Sequence, residues 1–260
     1  MRIGFYQFSP AFGDIEKNLE MLRGSLNGEL PHILVLPELA FTGYNFINRE
    51  EAVKYAEEIP GPLFEEIRSL SKEKQVAIST GFLERVGDNI YNSSVFVSPE
   101  DDYYVYRKVH LFYKEKEIFS PGDKFFIFEY RGVKIGMLIC FDWIFPEAMR
   151  TLTLMGAEVI LHHANLVLPF CQDAMITRSV ENRVFIVTAN RTGVEDRGGE
   201  RYVFTGRSQV VAPGGKLLLR VGDEVTGVFS VDIDPYIAGD KSINRFNHLI
   251  RDRRQDIYRC

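Results

Sequence analysis

Residues 136–147 read GMLICFDWIFPE, and this stretch predicts both a fold class and a site. The apolar run from Val133 to Ile139 predicts a strand that is buried on both faces. Pro146-Glu147 is typical of the first turn of a helix. In an open α/β sheet, ligands collect at the carboxyl ends of the strands. Cys140 lies at such an end, so its thiol is a candidate nucleophile. On this stretch alone, a small buried core residue is an equally good interpretation.

The composition is that of a folded globular protein. Of the 260 residues, 45% are hydrophobic and 26% are charged, which argues against extensive disorder. The formal charge of -5 provides no basic field for binding nucleic acid. We expect no membrane span, because no apolar run approaches the roughly 20 residues that a membrane helix needs. We also expect no signal peptide, because the strand-like N-terminus lacks its anatomy.

The chain has three cysteines, Cys140, Cys171 and Cys260, which are odd in number and far apart in the sequence. They do not form a disulfide framework, and no Cys-x-x-Cys pair indicates structural zinc. We therefore expect a cytoplasmic, reducing setting. Cys171 falls in a predicted helix, where we expect it to pack rather than to react.

Helices and strands alternate along the chain, with no linker or repeat, so we predict a single domain over residues 1–260. About ten or more strands are too many for one typical sheet, and two packed sheets with helices outside are predicted instead. Residues 49–59 are predicted to be helical, and residues 191–200 to form a charged, glycine-rich loop. Residues 245–260 form either a solvated tail or an arm on a partner subunit. The apolar residues of this segment favour the arm: Phe246, Leu249, Ile250, Ile257 and Tyr258.

Three residues with charged or reactive side chains lie at the ends of predicted strands: Glu38, Lys108 and Cys140. Taken singly, they have ordinary interpretations as a capping carboxylate, a solvated lysine and a core thiol. An unpaired buried charge costs several kcal/mol, so the carboxylate and the ammonium must pair or face a polar site. Together they supply a nucleophile, a base and a cation for an oxyanion. Those are the groups needed to attack an amide or a carbon–nitrogen multiple bond.

Histidines offer a rival Cys-His arrangement, with His110, His162 or His163 as the base. The last two are adjacent on a predicted strand, so they point to opposite faces and at most one can enter a site. The ordinary interpretation of each is a hydrogen-bonded core histidine. A metal site built from His162, His163 and Asp142 is disfavoured, because no His-x-x-x-His or carboxylate cluster supports it.

Three blocks resemble the signature blocks of the nitrilase superfamily of carbon–nitrogen hydrolases: LPELAFTGY at 36–44, YRKVHLF at 106–112 and ICFD at 139–142. Their order and spacing are also similar. Weaker blocks are similar too, namely 120–123, 145–147, 164–166, 178–183 and 206–208, so the resemblance covers essentially the whole chain. It is strongest to the short, single-domain archaeal-type nitrilases and amidases. The resemblance implies a four-layer α-β-β-α sandwich of two mixed β-sheets flanked by helices. It also implies homodimers, with the C-terminal segment often crossing to the partner.

The resemblance also implies the roles of the site residues. Cys140 would attack the substrate carbon, and Glu38 would act as base and then acid. Lys108 and the backbone N–H of Phe141 would stabilise the oxyanion. A fourth residue, Glu115, would orient the lysine and the substrate.

Glu117 is a less favoured candidate for that fourth role. The substrate-binding residues expected beside these blocks are Tyr44, Phe141, Trp143 and Asn165. Arg191 and Arg197, near loops expected to shape the pocket, suggest an acidic substrate, although surface charge explains them equally well.

The predicted function is a hydrolase without metal or cofactor that cleaves a small linear amide, of the ω-amidase or aliphatic amidase type. It would form an acyl-thioester on Cys140 and release ammonia or an amine. The alternative reaction is that of a nitrilase, through a thioimidate on the same cysteine. The alternative class is a catalytically silent member that acts as a binding or scaffold subunit. The sequence does not select the substrate.

Overall fold

The apolar runs form fourteen strands within residues 1–258, the part of the chain that this computed structural model describes. The strands are β1 (Arg2–Gln7), β2 (Ile33–Val35), β3 (Ala77–Val86), β4 (Asn89–Val97), β5 (Tyr103–Arg107), β6 (Ile127–Tyr130), β7 (Val133–Ile139), β8 (Val159–Ala164), β9 (Phe185–Asn190), β10 (Val194–Arg197), β11 (Glu200–Val203), β12 (Gln209–Ala212), β13 (Lys216–Arg220) and β14 (Gly227–Asp232). The helices are α1 (Ile15–Ser25), α2 (Arg49–Val53), α3 (Pro62–Lys74), α4 (Glu115–Ile118), α5 (Pro146–Met155) and α6 (Cys171–Asn182). Short 3₁₀ helices cover Cys140–Ile144 and Pro235–Ala238.

Twelve of these strands form two six-stranded mixed sheets. The first has the order β14-β1-β2-β3-β4-β5, and the second has the order β13-β12-β9-β8-β7-β6. In each sheet three central strands are parallel, β1-β2-β3 in the first and β7-β8-β9 in the second. The outer strands pair antiparallel with them. The parallel strands end at the same edge of their sheet, so the residues that follow them are brought together there.

The core lies between the two sheets and beneath the helices. Helices α1 and α3 place Leu22 and Ile67 against the first sheet in one apolar cluster. Helices α5 and α6 place Leu152 and Met175 in the cluster that includes the second sheet. This arrangement is the predicted α-β-β-α sandwich, and the fold prediction is confirmed. None of the helices in the described part of the chain is long and apolar enough to cross a membrane.

The predicted helix over residues 49–59 is too long, because α2 ends at Val53. Its start agrees with the sequence, since the side chain of Asn48 caps the helix by accepting from the Glu51 N–H. The end is set by tertiary contacts. Glu57 forms a bridge with Glu84 on β3, and its carboxylate accepts the N–H groups of Leu63 and Phe64 at the start of α3. These contacts draw the segment away from a helix that local propensity favours.

The predicted loop at residues 191–200 is also wrong, because it contains β10 and the start of β11. The two strands form a hairpin with the turn Gly198-Gly199, whose φ values of 58° and 80° suit glycine. A two-residue glycine turn between alternating residues was the available signal. The many charges obscured it. They are accommodated because Glu195 points inward to a buried partner while its neighbours face outward.

Residues 245–258, the described part of the C-terminal segment, fold back without helix or strand, and much of their apolar surface is exposed. Phe246 and Ile257 are 75% and 64% exposed. Residues 259–260, including Cys260, lie outside the described residues. The single domain and the subunit arm stay predictions.

Candidate active site

Cys140 lies at a sharp turn where β7 passes directly into a 3₁₀ helix. Its φ is +39°, a strained value for a residue other than glycine, which costs roughly 1–3 kcal/mol unless the surroundings hold it. Asp142 holds the turn by accepting the Ile139 N–H at 2.9 Å. His162 holds it from the neighbouring strand, with its Nε2 3.0 Å from the Cys140 carbonyl oxygen. The thiol is thereby presented at the strand end, as predicted.

Glu38 follows β2 in a loop that passes very close to β3. A Cβ on Gly81 would lie 2.1 Å from the Leu39 nitrogen and 2.5 Å from the Glu38 Cα. The contact therefore requires glycine at this position. Leu39 has a positive φ of 46°, so strained backbone accompanies this carboxylate as well as the thiol.

Lys108 bridges two buried carboxylates. Its Nζ donates to Glu38 Oε1 and to Glu115 Oε1, each at 2.7 Å, and the three side chains are almost fully buried. The structure therefore brings together Glu38 and Lys108, the predicted base and the predicted cation at two strand ends. Of the two glutamates considered for the fourth role, Glu115 is in the cluster, whereas Glu117 is exposed. Glu115 is held further by the Tyr44 hydroxyl at 2.8 Å and by the Phe112 N–H at 2.9 Å.

The cluster carries two carboxylates, one ammonium and a thiol in a dry environment. Burial opposes the charge of Lys108, but Glu115 and Glu38 outweigh it and raise the pKa of the ammonium above its ordinary value. Burial raises the pKa of Glu115 to about 6, against the opposing charge of Lys108. Burial and the charge of Glu38 raise the pKa of the Cys140 thiol well above its ordinary value. The resting cysteine is therefore a neutral thiol that needs a base before it can attack.

The oxygens of Glu38 are used unequally. Oε1 accepts from Lys108 and, at 2.7 Å, from Asn92 Nδ2 on β4. Oε2 is buried and has no hydrogen-bond partner among residues 1–258. A buried carboxylate oxygen without a donor is costly. It is well suited to receive a proton from a neighbouring group.

A small cavity opens at Cys140 and is lined mainly by apolar side chains. Its lining residues are Phe112, Cys140, Phe141, Trp143, Asn165, Leu166, Val167 and Leu168. Three of the four expected substrate-binding residues are therefore at the cavity, and the Asn165 amide also donates to the Glu38 carbonyl at 2.9 Å. Tyr44 differs. It lines a separate small cavity, and its hydroxyl is directed at Glu115.

The histidines do not contact the thiol sulfur through any hydrogen bond in the described residues. As predicted, His162 and His163 point to opposite faces. His162 contacts the Cys140 carbonyl, whereas His163 contacts the Leu36 carbonyl and the Ser79 hydroxyl of the first sheet. Burial lowers their pKa values to about 4 and about 3, so both are neutral at neutral pH. His110 contacts Asp142 at 2.8 Å. Each side chain has the hydrogen-bonding role of the ordinary interpretation.

A family model described as carbon-nitrogen hydrolase matches residues 2–241 of the chain. The chain belongs to the carbon–nitrogen hydrolase family. The resemblance recognised in the three sequence blocks is thus confirmed. The family match spans both six-stranded sheets and the strand end that carries Cys140.

Named relatives extend over nearly the whole chain. A nitrilase from Pyrococcus abyssi is 40% identical and covers 99% of each chain. An (R)-stereoselective amidase from Pseudomonas sp is 34% identical, over 98% of this chain and 92% of the relative. A solved amidase structure from Nesterenkonia sp. AN1, in which acrylamide has added to the active site cysteine, is 25% identical. It has a TM-score of 0.76 over 93% of this chain and 96% of that one. This carbon–nitrogen hydrolase is therefore similar to enzymes named for two reactions.

Sequence reasoning missed Asn92, Gly81 and the pair Arg191–Glu195. Asn92 lies within a buried strand, where nothing in the local pattern distinguishes a hydrogen-bond donor to Glu38 from an ordinary core amide. Gly81 is also inside a strand, and a lone glycine there is a known sign of close backbone approach. Arg191 and Glu195 pair with each other in the interior, which no local pattern indicated.

We expect Gly81→Ala to disturb the site locally and to lower activity, while the rest of the fold is kept. The new methyl group would meet backbone atoms of Glu38 and Leu39, which cannot move without shifting the carboxylate. Activity should fall by about 10²-fold, since small misplacements of catalytic groups have effects of that size. Gly24→Ala is the control, because Gly24 is exposed on α1 and, apart from its neighbours in the helix, no atom of residues 1–258 lies within 4 Å of a Cβ placed there. This control should keep full activity and gain about 0.5 kcal/mol in urea unfolding. Equal activity of the two variants would contradict the close-approach argument.

Proposed function

We propose that the protein is an amidase that hydrolyses a small, uncharged amide through a thioester on Cys140. The observation that carries the proposal is the carboxylate of Glu38. Its Oε1 is held by Lys108 and Asn92, while its Oε2 is buried without a partner among the described residues. That arrangement suits a base, because the carboxylate is oriented by one oxygen and can accept a proton at the other. The roles that follow are part of this proposal.

In the first half-reaction, Glu38 takes the proton of the Cys140 thiol as Sγ bonds to the amide carbon. The carbonyl oxygen becomes an oxyanion, which Lys108 and the Phe141 N–H stabilise. Glu38 then returns the proton to the nitrogen, the carbon–nitrogen bond breaks, and ammonia or an amine leaves. The remaining acyl group is a thioester on Sγ.

In the second half-reaction, Glu38 removes a proton from water, and the resulting hydroxide bonds to the thioester carbon. Collapse of the second oxyanion breaks the carbon–sulfur bond, and the proton held by Glu38 returns to the Cys140 sulfur. The carboxylic acid is released. Glu115 takes no proton in this scheme. It orients Lys108, because Oε1 of Glu115 and Oε1 of Glu38 hold the ammonium from two sides.

The cavity at Cys140 supports an uncharged substrate. None of its lining residues carries a charge, and six of them are aromatic or aliphatic side chains that face the space beside the thiol. The arginines that suggested an acidic substrate are occupied elsewhere. Arg191 pairs with buried Glu195, and Arg197 pairs with Glu51 at 2.8 Å. A short aliphatic or aromatic amide therefore fits better than an ω-amide with a free carboxylate, because burying that carboxylate unpaired would be costly.

Nitrile hydrolysis is the second candidate, favoured by the 40% identical relative that is named a nitrilase. The two reactions begin on the same sulfur but form different adducts. An amide gives a thioester, whereas a nitrile first gives a thioimidate. The thioimidate adduct is slightly lighter than the thioester of the same acyl group, because it carries C=NH in place of C=O. Intact mass measured milliseconds to seconds after mixing separates them, with Cys140→Ala as the blank.

The test of the proposal is ammonia release from matched substrates. Aliphatic amides, ω-amides, N-carbamoyl amino acids and the nitriles that correspond to the amides are compared at equal concentration. We expect the highest kcat/KM with an uncharged amide and none with Cys140→Ala. Turnover of nitriles but not of amides would replace the proposal by the second candidate. With no turnover of any substrate, and Cys140 labelled by iodoacetamide no faster than an ordinary buried thiol, the protein would be a catalytically silent scaffold.

The activity should fall on the acid side as the pH drops through about 6, the value to which burial raises the pKa of Glu115. Below that pH Glu115 is protonated and no longer holds the ammonium of Lys108 as a carboxylate, so Lys108 loses its orientation at Cys140. We expect kcat/KM to drop about tenfold per pH unit there. The raised pKa also means that protonation of Glu115 favours the folded state, so this acid limb is not unfolding. In Glu115→Gln the limb at about pH 6 should be absent, and an unchanged limb would contradict the assignment.

We also propose a homodimer and a cytoplasmic setting. The described cysteines, Cys140 and Cys171, are both buried thiols without a disulfide, which suits a reducing compartment. Phe246 and Ile257 present apolar surface that a partner subunit could cover. Light scattering on the full chain should give twice the monomer mass, and Phe246→Ser should weaken the dimer. A monomer at all concentrations would overturn this part.

A further inference from the structure

The hairpin β10–β11 lies against the loop that carries Tyr44, and a buried carboxylate joins them. Glu195 Oε2 accepts the backbone N–H groups of Tyr44 at 3.1 Å and of Asn45 at 2.6 Å. Asn45 in turn donates from its side chain to the carbonyl oxygens of Arg197 and Glu200 on the hairpin. The loop is therefore attached to the hairpin on both its backbone and its side-chain side.

The other oxygen of Glu195 pairs with Arg191, which follows β9 of the second sheet. The guanidinium lies 4.0 Å from the centre of the Phe204 ring and also donates to the carbonyl oxygens of Thr192 and Pro10. Both charges are almost completely buried. Buried ion pairs contribute little net stability, because desolvation opposes their attraction. The Arg191–Glu195 pair takes no part in the proposed reaction, so we expect a structural role in what else it contacts.

Tyr44 connects this pair to the catalytic cluster. Its hydroxyl donates to Glu115 Oε1 at 2.8 Å, the same oxygen that accepts from Lys108 Nζ at 2.7 Å. Its ring packs edge-on against Tyr202 and Phe204 of the hairpin region, with centroid distances of 5.6 and 6.2 Å. The Tyr44 backbone is held by Glu195, and its side chain by the same hairpin. A shift of this loop would therefore move the hydroxyl relative to Glu115.

We propose that Glu195, neutralised by Arg191, is a positioning residue that sets the Tyr44 hydroxyl on Glu115 and thereby orients Lys108 at Cys140. The inference rests on the proposed function for the reaction that it serves. Glu195 touches neither the substrate cavity nor the reacting sulfur, so it acts only through Tyr44.

The test is a double-mutant cycle between Glu195→Gln and Tyr44→Phe. In Glu195→Gln the new amide turns its oxygen toward the charged Arg191 and its NH₂ toward two N–H donors, which releases the loop. We expect each single variant to lower kcat by about 10- to 100-fold. The kcat of the double variant should be no more than about threefold below that of the less active single variant, because both changes break the same chain of contacts. Losses that multiply would overturn the proposal.

The pH profile separates positioning from general damage. The Tyr44 hydroxyl donates to the ionised form of Glu115, so its loss should move the acid limb to higher pH in both single variants. Glu51→Gln is the matched control, since it weakens the Arg197–Glu51 pair at the other end of the same hairpin without touching Tyr44. The control should keep the wild-type acid limb. An equal displacement in Glu51→Gln would mean that anchoring of the hairpin, not Glu195, matters.

Glu195→Gln leaves Arg191 buried without its counter-ion and can impair folding. The double variant Arg191→Met, Glu195→Gln removes that charge. The glutamine oxygen is then free to face the N–H groups of Tyr44 and Asn45. We expect this variant to fold and to recover most of the wild-type kcat, whereas a folded but equally inactive variant would overturn the proposal.

A readout without turnover separates this inference from the proposed function. The rate at which iodoacetamide alkylates Cys140, followed on the peptide that contains it, depends on the same cluster of Glu38, Lys108 and Glu115. If the wild type hydrolyses no amide, the proposed function fails. The double-mutant cycle between Glu195→Gln and Tyr44→Phe is then measured by the alkylation rates of Cys140 instead of kcat. Coupling between Glu195 and Tyr44 in those rates supports the inference, and independent effects refute it.

Discussion

Glu38→Gln is expected to lower kcat for amide hydrolysis by about 10³–10⁴-fold while leaving the fold intact. The glutamine oxygen can keep both contacts of Oε1, from Lys108 and from Asn92. Its NH₂ takes the place of Oε2, the oxygen that has no partner within residues 1–258 and that we assign as base. Lys108 retains Glu115 as counter-ion, so the substitution removes the base and little else. Steady-state ammonia release and thermal unfolding measure the two effects separately.

Glu57→Gln is the control for Glu38→Gln. Glu57 is another glutamate with a defined structural contact, to the N–H groups at the start of α3, and it touches none of the side chains that we propose as catalytic. Its kcat should stay near that of the wild type. If Glu38→Gln kept kcat within about tenfold, another group would have to be the base. His110→Ala and His163→Ala would then be the variants to compare.

Lys108→Met is expected to lower kcat by about 10²–10³-fold, the usual effect of removing one oxyanion donor. It should also lower the free energy of unfolding by about 3–5 kcal/mol, because two buried carboxylates then face each other without the cation. Methionine has similar length and no charge, so lost packing contributes little. Urea unfolding and kcat are measured on the same preparation.

The double variant Lys108→Met, Glu115→Gln separates the two consequences. The repulsion between the two carboxylates is removed, but Glu38 still lacks a cation, so only part of the lost stability should return. The activity should not return, because the proposed oxyanion site still lacks its cation. Glu115→Gln alone serves as the reference for the effect of the second change. Recovery of activity in the double variant would show that Lys108 serves only to balance the charges of the carboxylates.

The fold was predictable because its signals are local and repeated. Apolar runs such as Val133–Ile139 predicted buried strands, and the number of strands favoured two sheets over one. The errors have one cause. Residues 54–59 leave the predicted helix because Glu57 finds partners on α3 and β3, and residues 194–203 form a hairpin around an inward-facing Glu195. The bridge from Glu57 to Glu84 and the contacts of Glu195 with the backbone of Tyr44 and Asn45 join segments that are distant in the sequence, and a local pattern does not contain them.

The sequence by itself determined which residues could react. A thiol, a carboxylate and an ammonium lie at the ends of three predicted strands, so Cys140, Glu38 and Lys108 could be named as candidates before their distances were known. The tertiary structure alone decided how they are used. It assigned one Glu38 oxygen to Lys108 and Asn92, left the other without a donor among the described residues, and linked Glu195 to Glu115 through Tyr44. Hydrogen-bond partners and desolvation are set by what packs around a group in three dimensions, and the order of residues along the chain does not specify them.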